Sequence, residues 1–219
     1  MFTGLVTLSY LDGLDRQNNN RLERNIRYLN YYIPLKDKLG FDRIVFIDND
    51  SSQESINEIR KVGNGILDII RLSPHLPSGS ALNYPYCWRG LYELKTLINR
   101  GYDKIISIDS DGFVLSQRLA NYFRLLDTGW TSLWCPRWNF PESACHVLCE
   151  DSFPIYLDYI EQMPWQNRVG TKMETSLPFT YINKAFNADR YGESRLPQCT
   201  EMDYYGQANL KTDLKCYEG

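Results

Sequence analysis

Apolar runs and helix-like stretches alternate along the first 110 residues. Runs rich in Val, Ile and Leu predict buried strands over 4–9, 43–48, 66–72 and 104–109. Each run is short and is followed by polar or turn-forming residues, as expected for strands buried on both faces. The pattern therefore predicts four strands separated by connections long enough to contain helices.

The connections carry helical periodicity. Leu22, Ile26, Leu29 and Ile33 fall on one face of a helix predicted over 19–33. Further helices are predicted over 51–61, which Ser51 or Ser52 can cap, over 87–100, which Gly101 ends, and over 116–126. Alternating strands and helices predict an α/β fold, a mostly parallel central sheet flanked by helices.

The second half of the chain is less periodic. A fifth strand is predicted over 130–135, and helices over 150–163 and 172–187. Prolines at 136, 141, 154 and 164 are read as joints between these elements.

Composition narrows the function classes. The chain has 219 residues, of which 43% are hydrophobic and 23% charged, with a net charge of −3. These values fit a folded globular protein and disfavour a mainly disordered one. No concentrated Lys/Arg run is present, which disfavours nucleic-acid binding. No apolar stretch approaches the roughly 20 residues of a membrane span, and no signal peptide is evident. A cytoplasmic protein is expected.

Cysteine and histidine are poor candidates for the chemistry. The six cysteines form no CxxC pair, so buried thiols are expected rather than disulfides. The two histidines, His75 and His146, are too few for a His-rich zinc site. Aromatic residues reach 14%, and Trp134, Trp138 and Trp165 are candidates for stacking on a sugar, with core packing as the plainer interpretation.

The sharpest chemical signal follows the fourth strand. Asp109 and Asp111 stand two residues apart directly after the run Ile105–Ile108. Parallel sheets bind ligands beyond the carboxyl ends of their strands, and two carboxylates there can converge on Mg²⁺ or Mn²⁺. A second acidic cluster, residues 48–50, follows the second strand.

With these motifs the chain resembles nucleotide-sugar glycosyltransferases of the GT-A (Rossmann-like) fold. The resemblance covers about residues 3–135 and rests on the order of strands and on the two acidic clusters. It implies that Asp111 binds Mn²⁺ (or Mg²⁺) bridging the donor diphosphate, that Asp109 assists as a second ligand, and that Ser110 lies at the donor. The family often adds a histidine ligand, which this chain does not offer in a familiar context.

The same resemblance implies the rest of the donor site. The cluster Asp48, Asn49 and Asp50 would contact the nucleobase, which Tyr10 could stack on. Arg89, at the start of the third helix, would contact the diphosphate. The donor would be a sugar nucleotide, with UDP favoured, and a hexose or deoxyhexose would be moved to a glycan or protein-linked hydroxyl.

The acceptor side is less defined. An inverting transferase needs a carboxylate to deprotonate the acceptor hydroxyl. Glu174, beside an apolar Leu-Pro-Phe run, is the first candidate, and Asp151, Glu201 and Asp203 are alternatives. We expect one domain over 1–219, with a nucleotide-sugar half (1–135) and an acceptor half (136–219), which could belong to a longer protein.

Two further resemblances bear on function. The whole chain is similar to glycosyltransferase domains of large algal (chlorella) viruses, which implies a role in capsid glycan synthesis in the host cytoplasm. The run from Ile105 to Val114 also resembles the first motif of haloacid-dehalogenase-like phosphatases. That alternative would make Asp109 a nucleophile and Asp111 an acid/base, but its motif normally lies on the first strand.

Overall fold

A computed structural model of the chain describes residues 1–15, 18, 20–77, 84–190 and 202–207. Within that part of the chain, the strands form one sheet of seven and one of three. The strands are β1 (Thr3–Ser9), β2 (Arg43–Asp48), β3 (Leu67–Arg71), β4 (Lys104–Ile108), β5 (Phe113–Val114), β6 (Trp130–Cys135), β7 (Phe140–Cys149), β8 (Tyr181–Asn183), β9 (Ala188–Arg190) and β10 (Tyr204–Gly206).

The helices lie between and around these strands. They are α1 (Arg21–Tyr32), α2 (Lys36–Leu39), α3 (Gln53–Gly63), α4 (Pro85–Tyr92), α5 (Leu94–Asn99), α6 (Gln117–Leu125), α7 (Phe153–Glu161) and α8 (Met173–Ser176). Short 3₁₀ turns occupy Ile33–Leu35, Glu150–Ser152 and Trp165–Arg168.

The large sheet has the order β3-β2-β1-β4-β7-β6-β8. Strands β3, β2, β1 and β4 run parallel, β7 is antiparallel to both β4 and β6, and β8 is parallel to β6. This mixed, mostly parallel sheet confirms the predicted α/β class. The small sheet joins β5, β10 and β9 beside it.

The core lies on both faces of the large sheet, which makes three layers. One face packs against α1, α2, α3 and α6 through side chains such as Tyr28, Ile56 and Phe123. The other face packs against α4, α5 and α7 through Trp88, Leu97 and others. Parallel strands covered on both faces need the near-continuous apolar runs that the sequence shows.

The first half of the chain folds as predicted, with local signals that explain the boundaries. Ser52 caps α3 by accepting a hydrogen bond from Ser55 N, and Ser116 caps α6 in the same way. Gly40 ends α2 with a φ of 71°, in the left-handed region that glycine tolerates best.

The helix predicted over 87–100 is interrupted. Its two parts, α4 and α5, meet at Glu93. The hydroxyl of Tyr156 donates to Leu91 O at 2.7 Å and accepts from Lys95 N at 3.1 Å. It therefore stands between the two groups that a continuous helix would join directly, and an inserted side chain is a known cause of a break.

The second half departs most from the sequence prediction. The stretch read as a proline-rich joint contains β7, the ten-residue strand between β4 and β6. The helix predicted over 172–187 is wrong beyond Ser176, because Pro178 follows and Tyr181–Asn183 pairs with β6 instead. In the described part of the chain, no helix is long and apolar enough to cross a bilayer.

Candidate functional site

A cavity of about 540 Å³ opens beyond the carboxyl ends of β1, β2 and β4. Residues from α1, from the loop after β3, from α4 and α5, from β7 and from α8 complete its wall. Charged side chains of both signs line it, namely Asp15, Asp109, Asp111, Glu174, Arg21, Arg24 and Arg190. A polar cleft at the end of a parallel sheet is where such folds bind ligands.

The acidic pair lies inside this cavity. A tight turn after β4 carries it, with Gly112 N donating to Asp109 O at 2.8 Å. Glycine is required in the turn, because a Cβ on Gly112 would lie 2.5 Å from the hydroxyl oxygen of Tyr204. Among the described residues, no side chain donates a hydrogen bond to the carboxylates of Asp109 or Asp111, and Asp111 accepts from its own backbone N–H.

The electrostatics of the pair follow from that arrangement. Burial raises the pKa of Asp109, and the neighbouring carboxylates of Asp111 and Glu142 raise it further. Burial also raises the pKa of Asp111, although the Arg24 guanidinium opposes that rise. Arg24 and Arg190 therefore compensate the negative charge of the ionised pair only in part, and a cation would compensate it further.

Arg24, on α1, is the cation nearest to the pair. Its Nη1 donates to Asp15 Oδ2 at 2.9 Å and lies 3.7 Å from Asp111 Oδ2. The side chains of Arg24 and Asp111 are 14% and 25% exposed, so ligand could reach both from the cavity. Arg24 Nε is buried without a hydrogen-bond partner in the described part of the chain.

A second ion cluster lies beside the cavity, near enough for Glu142 to raise and for Arg190 to lower the pKa of Asp109. The guanidinium of Arg190, at the end of β9, binds the fully buried carboxylate of Glu142 through two nitrogens. Its Nη1 also lies 3.2 Å from Glu174 Oε1 on α8. Glu174 thus lines the cavity with an arginine beside it, and its side chain is 18% exposed.

The alternative acids lie elsewhere. Asp203 accepts from Arg118 and from Ser116, and it links the start of α6 to β10. Asp151 is exposed and accepts from Gly129 N at 2.8 Å. Glu201 falls outside the described residues.

The two acidic residues of the cluster after β2 accept hydrogen bonds from neighbouring residues. Asp48 is buried and accepts from Ser51 N at 3.1 Å, from the Ser51 hydroxyl and from Arg71 Nε at 3.2 Å. Asp50 accepts from His75 N at 3.2 Å. Of this cluster, Asn49 lines the cavity whereas Asp48 and Asp50 are not among the described lining residues.

Arg89 is likewise engaged. It donates to Asn49 Oδ1 at 2.5 Å and to Pro74 O at 2.8 Å. Asn49 in turn donates to Leu76 O at 2.6 Å, so these contacts fix the loop after β3. Arg89 and the buried Ser110 are not among the described residues that line the cavity. Their roles at a donor stay predictions.

An aromatic wall stands at the β1–β2 end of the cavity. The rings of Tyr10 and His75 lie 4.0 Å apart between centroids at an angle of 37°. The Arg21 guanidinium carbon lies 5.2 Å from the Tyr10 centroid. A planar ligand could stack here, as the prediction for Tyr10 requires.

The remaining candidate residues from the sequence have contacts within the protein or lie at its surface. His146 is buried on β7 and accepts from Trp130 Nε1 at 3.2 Å, and burial lowers its pKa to about 4. Lys184 Nζ lies 4.7 Å from the ring centroid of Trp134. Trp165 packs against the apolar core, whereas Trp138 is 36% exposed. The described cysteines are free thiols, and three of the four are buried.

Sequence reasoning did not select Asp15, Arg24, Glu142 or Arg190. Glu142 lies in the stretch read as a joint, and Arg190 lies in a small sheet with little periodicity. Asp15 and Arg24 are nine residues apart and lack a motif. The sequence did offer one signal for the two arginines, since two acidic residues in a buried turn require cations nearby.

The residues present fit a divalent cation in charge and in ligand type. Asp109 and Asp111 are oxygen ligands that Mg²⁺ and Mn²⁺ prefer, and their carboxylates have no side-chain hydrogen-bond donor in the described part of the chain. Among the described residues, no cluster of three or more His, Cys, Asp or Glu could hold a metal ion. A cation on two carboxylates would retain positions for water and phosphate oxygens, as Mg²⁺ commonly does.

Comparison with known proteins identifies the fold. No protein-family model and no curated protein matches the sequence. Among solved structures, the chain is similar to a glycosyltransferase involved in the glycosylation of the major capsid of PBCV-1, with a TM-score of 0.55 and 9% identity, over 100% of both chains. It is also similar to the galactosyltransferase LgtC in complex with donor and acceptor sugar analogues, with a TM-score of 0.54 and 9% identity, over 94% of this chain and 87% of that one.

A third structure, the bifunctional glycosyltransferase WbbM, has a TM-score of 0.60 at 9% identity and covers 95% of this chain but 46% of WbbM. The chain therefore has the GT-A fold of these glycosyltransferases, as the sequence resemblance implied. At 9% identity the similarity defines the fold, and the activity needs an argument from the cavity itself.

Proposed function

We propose that this protein is a metal-dependent glycosyltransferase. Its donor is a nucleoside diphosphate sugar, with UDP as the favoured nucleotide, and it moves the sugar to the hydroxyl of a glycan or protein-linked acceptor. One observation carries the proposal. The carboxylates of Asp109 and Asp111 lie in a 540 Å³ cavity at the end of β4 of a GT-A fold, and no side chain of the described residues donates a hydrogen bond to them.

The donor diphosphate requires positive charge. Asp109 and Asp111 would hold Mn²⁺ or Mg²⁺, which would neutralise the charge that develops on the departing diphosphate. Arg24 lies 3.7 Å from Asp111 and would contact a phosphate oxygen. Asp15 would orient Arg24 through its 2.9 Å hydrogen bond.

The nucleobase would lie against the aromatic wall at the β1–β2 end. Tyr10 and His75 offer a stacking surface, and the neighbouring backbone around Asn49 offers polar groups. Arg89 would act indirectly here, because its hydrogen bond to Asn49 fixes that side chain. Asp48 would hold the same loop through Ser51.

The acceptor would enter from the side of α8. Glu174 would accept the proton of the attacking hydroxyl in an inverting reaction, while the transition state at the anomeric carbon takes on oxocarbenium character. Arg190, whose Nη1 lies 3.2 Å from Glu174 Oε1, would orient that carboxylate towards the acceptor. Since the structurally similar PBCV-1 enzyme is involved in capsid glycosylation, a virus-encoded enzyme with a capsid-linked acceptor is the extended form of this proposal.

The phosphatase alternative has no support. Its motif normally lies on the first strand, whereas the turn that carries Asp109 and Asp111 follows β4. The similar solved structures are glycosyltransferases.

A thermal-shift titration with UDP tests the proposal. UDP should raise the unfolding midpoint with Mn²⁺ present and have little effect with EDTA. Ligand at 100 times its Kd adds about 2.7 kcal/mol to the free energy of unfolding, which is easily measured. GDP and CMP serve as comparison nucleotides. If none of the three raises the midpoint at millimolar concentration, with or without Mn²⁺, the proposal fails.

A further inference from the structure

The cavity has a deeper arm below the acidic pair. Ser107 lies two residues before Asp109 on the same face of β4, and it pairs with His146 across β4 and β7. Side chains of directly opposed residues on one face are about 5 Å apart at Cβ. Both line the same cavity as Asp109. The arm therefore reaches about 7 Å along the strand beneath the carboxylates.

The contacts of His146 fix which ring nitrogen carries hydrogen. The indole N–H of Trp130 is a donor and cannot accept, so Nδ1 of His146 must be the acceptor in their 3.2 Å hydrogen bond. Burial lowers the pKa of His146 to about 4, so the ring is neutral at physiological pH. A neutral ring with an acceptor at Nδ1 carries its hydrogen on Nε2.

That Nε2–H is available to a ligand. In the described part of the chain it has no hydrogen-bond partner, and the same holds for the hydroxyl of Ser107. His146 is 3% exposed and lines the cavity, so its Nε2–H has little contact with bulk water and would gain from a hydrogen-bond acceptor. A ligand oxygen in the arm would supply it.

The facing wall of the arm is apolar. Val6 on β1 pairs with Ser107, and Leu91 and Leu94 from α4 and α5 close the other side. These side chains are at most 6% exposed. A group that fits must present a hydrogen-bond acceptor to His146, a donor or acceptor to Ser107, and a methyl-sized apolar end to the leucines.

We propose that this arm binds the acetamido group of a 2-acetamido-hexose donor, with its carbonyl accepting from His146 Nε2–H, its N–H donating to Ser107 Oγ and its methyl packing on Leu91. A plain hexose offers a hydroxyl at that carbon, which leaves the apolar wall unfilled. A site built to hydrogen-bond a ligand group discriminates strongly against ligands without it. The inference rests on the proposed function, because it assumes that a sugar nucleotide binds at Asp109 and Asp111.

Calorimetric binding measurements with Mn²⁺ present test the inference. UDP is the reference probe, and UDP-glucose and UDP-N-acetylglucosamine form the first pair of donors. UDP-galactose and UDP-N-acetylgalactosamine form the second pair. The acetamido sugar should bind at least about tenfold more tightly than its plain counterpart in one of the pairs, from one hydrogen bond and one buried methyl. UDP reports the proposed function separately. UDP that binds while both pairs show equal affinities overturns this inference alone. UDP that fails to bind overturns both.

Variants locate the preference in the arm. His146→Leu should remove the preference and leave UDP affinity unchanged, whereas His146→Gln, which keeps an N–H donor near the position of Nε2, should retain most of it. His146→Leu also strands the Trp130 indole N–H, so Ser107→Ala provides a milder variant that should reduce the preference about threefold or more. A preference that survives both His146→Leu and Ser107→Ala contradicts the assignment.

Discussion

Two loops of this protein have nearly the same sequence and different surroundings. Residues 47–50 read Ile-Asp-Asn-Asp after β2, and residues 108–111 read Ile-Asp-Ser-Asp after β4. In the first loop Asp48 accepts hydrogen bonds from Ser51 and from Arg71. In the second loop no side chain of the described residues donates a hydrogen bond to either carboxylate.

The difference teaches what separates an acidic turn from a candidate cation site. In the first loop, a serine three residues on and an arginine from the neighbouring strand compensate the charge. In the second loop the pKa values of both carboxyls are raised, because burial is not matched by donors. A buried charge without a partner is costly, and proteins retain such groups mainly where a ligand completes them.

The largest expected effect is on activity, which a substitution in the second loop should lower far more than one in the first. Asp111→Asn should lower kcat/KM for sugar transfer, or for donor hydrolysis, by about 100-fold, because it removes a charged ligand for the cation that stabilises the departing diphosphate. Asp50→Asn, the matching position of the other loop, should change it by no more than about twofold. Steady-state UDP release measures both.

Equal losses in the two variants would contradict the comparison. Full activity of Asp111→Asn would also remove the basis of the proposed function. A thermal midpoint for each variant within a few degrees of the parent protein shows that the losses do not come from unfolding.

The second largest effect is on the free energy of unfolding, and here a substitution in the first loop should have the greater effect. Asp48→Asn should lower the free energy of unfolding by about 2 kcal/mol, because Ser51 N and Arg71 lose a buried charged acceptor. Asp109→Asn, in EDTA, should leave it unchanged or raise it, since burial disfavours the ionised form of Asp109 and an amide does not ionise. Urea denaturation compares them. Destabilisation by Asp109→Asn equal to that of Asp48→Asn would show that the second loop is as well compensated as the first.

The comparison also explains how far sequence reasoning reached. The four parallel strands and the position of Asp109 and Asp111 follow from local patterns, because buried parallel strands need continuous apolar runs and their ends define the ligand edge. Whether an acid there is compensated depends on residues distant in sequence. Arg71 is 23 positions from Asp48, and Arg190 is 48 from Glu142.

The second half was harder for a related reason. Strand β7 carries Pro141, Glu142 and His146, which individually disfavour a buried strand. Tertiary partners override that preference, since Arg190 binds Glu142 and Trp130 donates to His146. Such partners have no local signature, so the alternation of apolar and polar positions did not reveal the strand.

A pH dependence sharpens the contrast further. Burial raises the pKa of Asp109 to about 8, so the folded state holds a proton that the unfolded chain releases near pH 4. The free energy of unfolding should therefore fall as pH rises towards 8, by at most about 1.4 kcal/mol per pH unit. The lowered pKa of His146 has the opposite effect, mainly below its ordinary value of about 6.5, so the interval from pH 6.5 to 8 reports chiefly the Asp109–Asp111 pair, whose pKa values are both raised.

Urea denaturation at pH 6.5, 7.25 and 8 in EDTA measures this slope. Asp109→Asn should flatten it, and Asp50→Asn should not. Mn²⁺ should reduce the fall in the parent protein, because the cation binds the deprotonated pair. A slope that Asp109→Asn leaves unchanged would assign the pH dependence to other groups.

The smallest effect concerns Arg24, which distinguishes the second loop from a bare acidic pair. Its guanidinium is 3.7 Å from Asp111, so it competes with a metal ion when the donor is absent and would attract the diphosphate when the donor is present. Arg24→Met should therefore tighten Mn²⁺ binding alone by about threefold and weaken Mn²⁺-dependent UDP binding by about threefold, each near 0.7 kcal/mol. Calorimetry at pH 8, where proton competition is least, measures both constants, and Arg71→Met on the first loop serves as the control that should change neither. Parallel changes of the two constants in Arg24→Met would mean that Arg24 acts on the carboxylates alone, and the positive charge for the diphosphate would then have to come from elsewhere in the cavity.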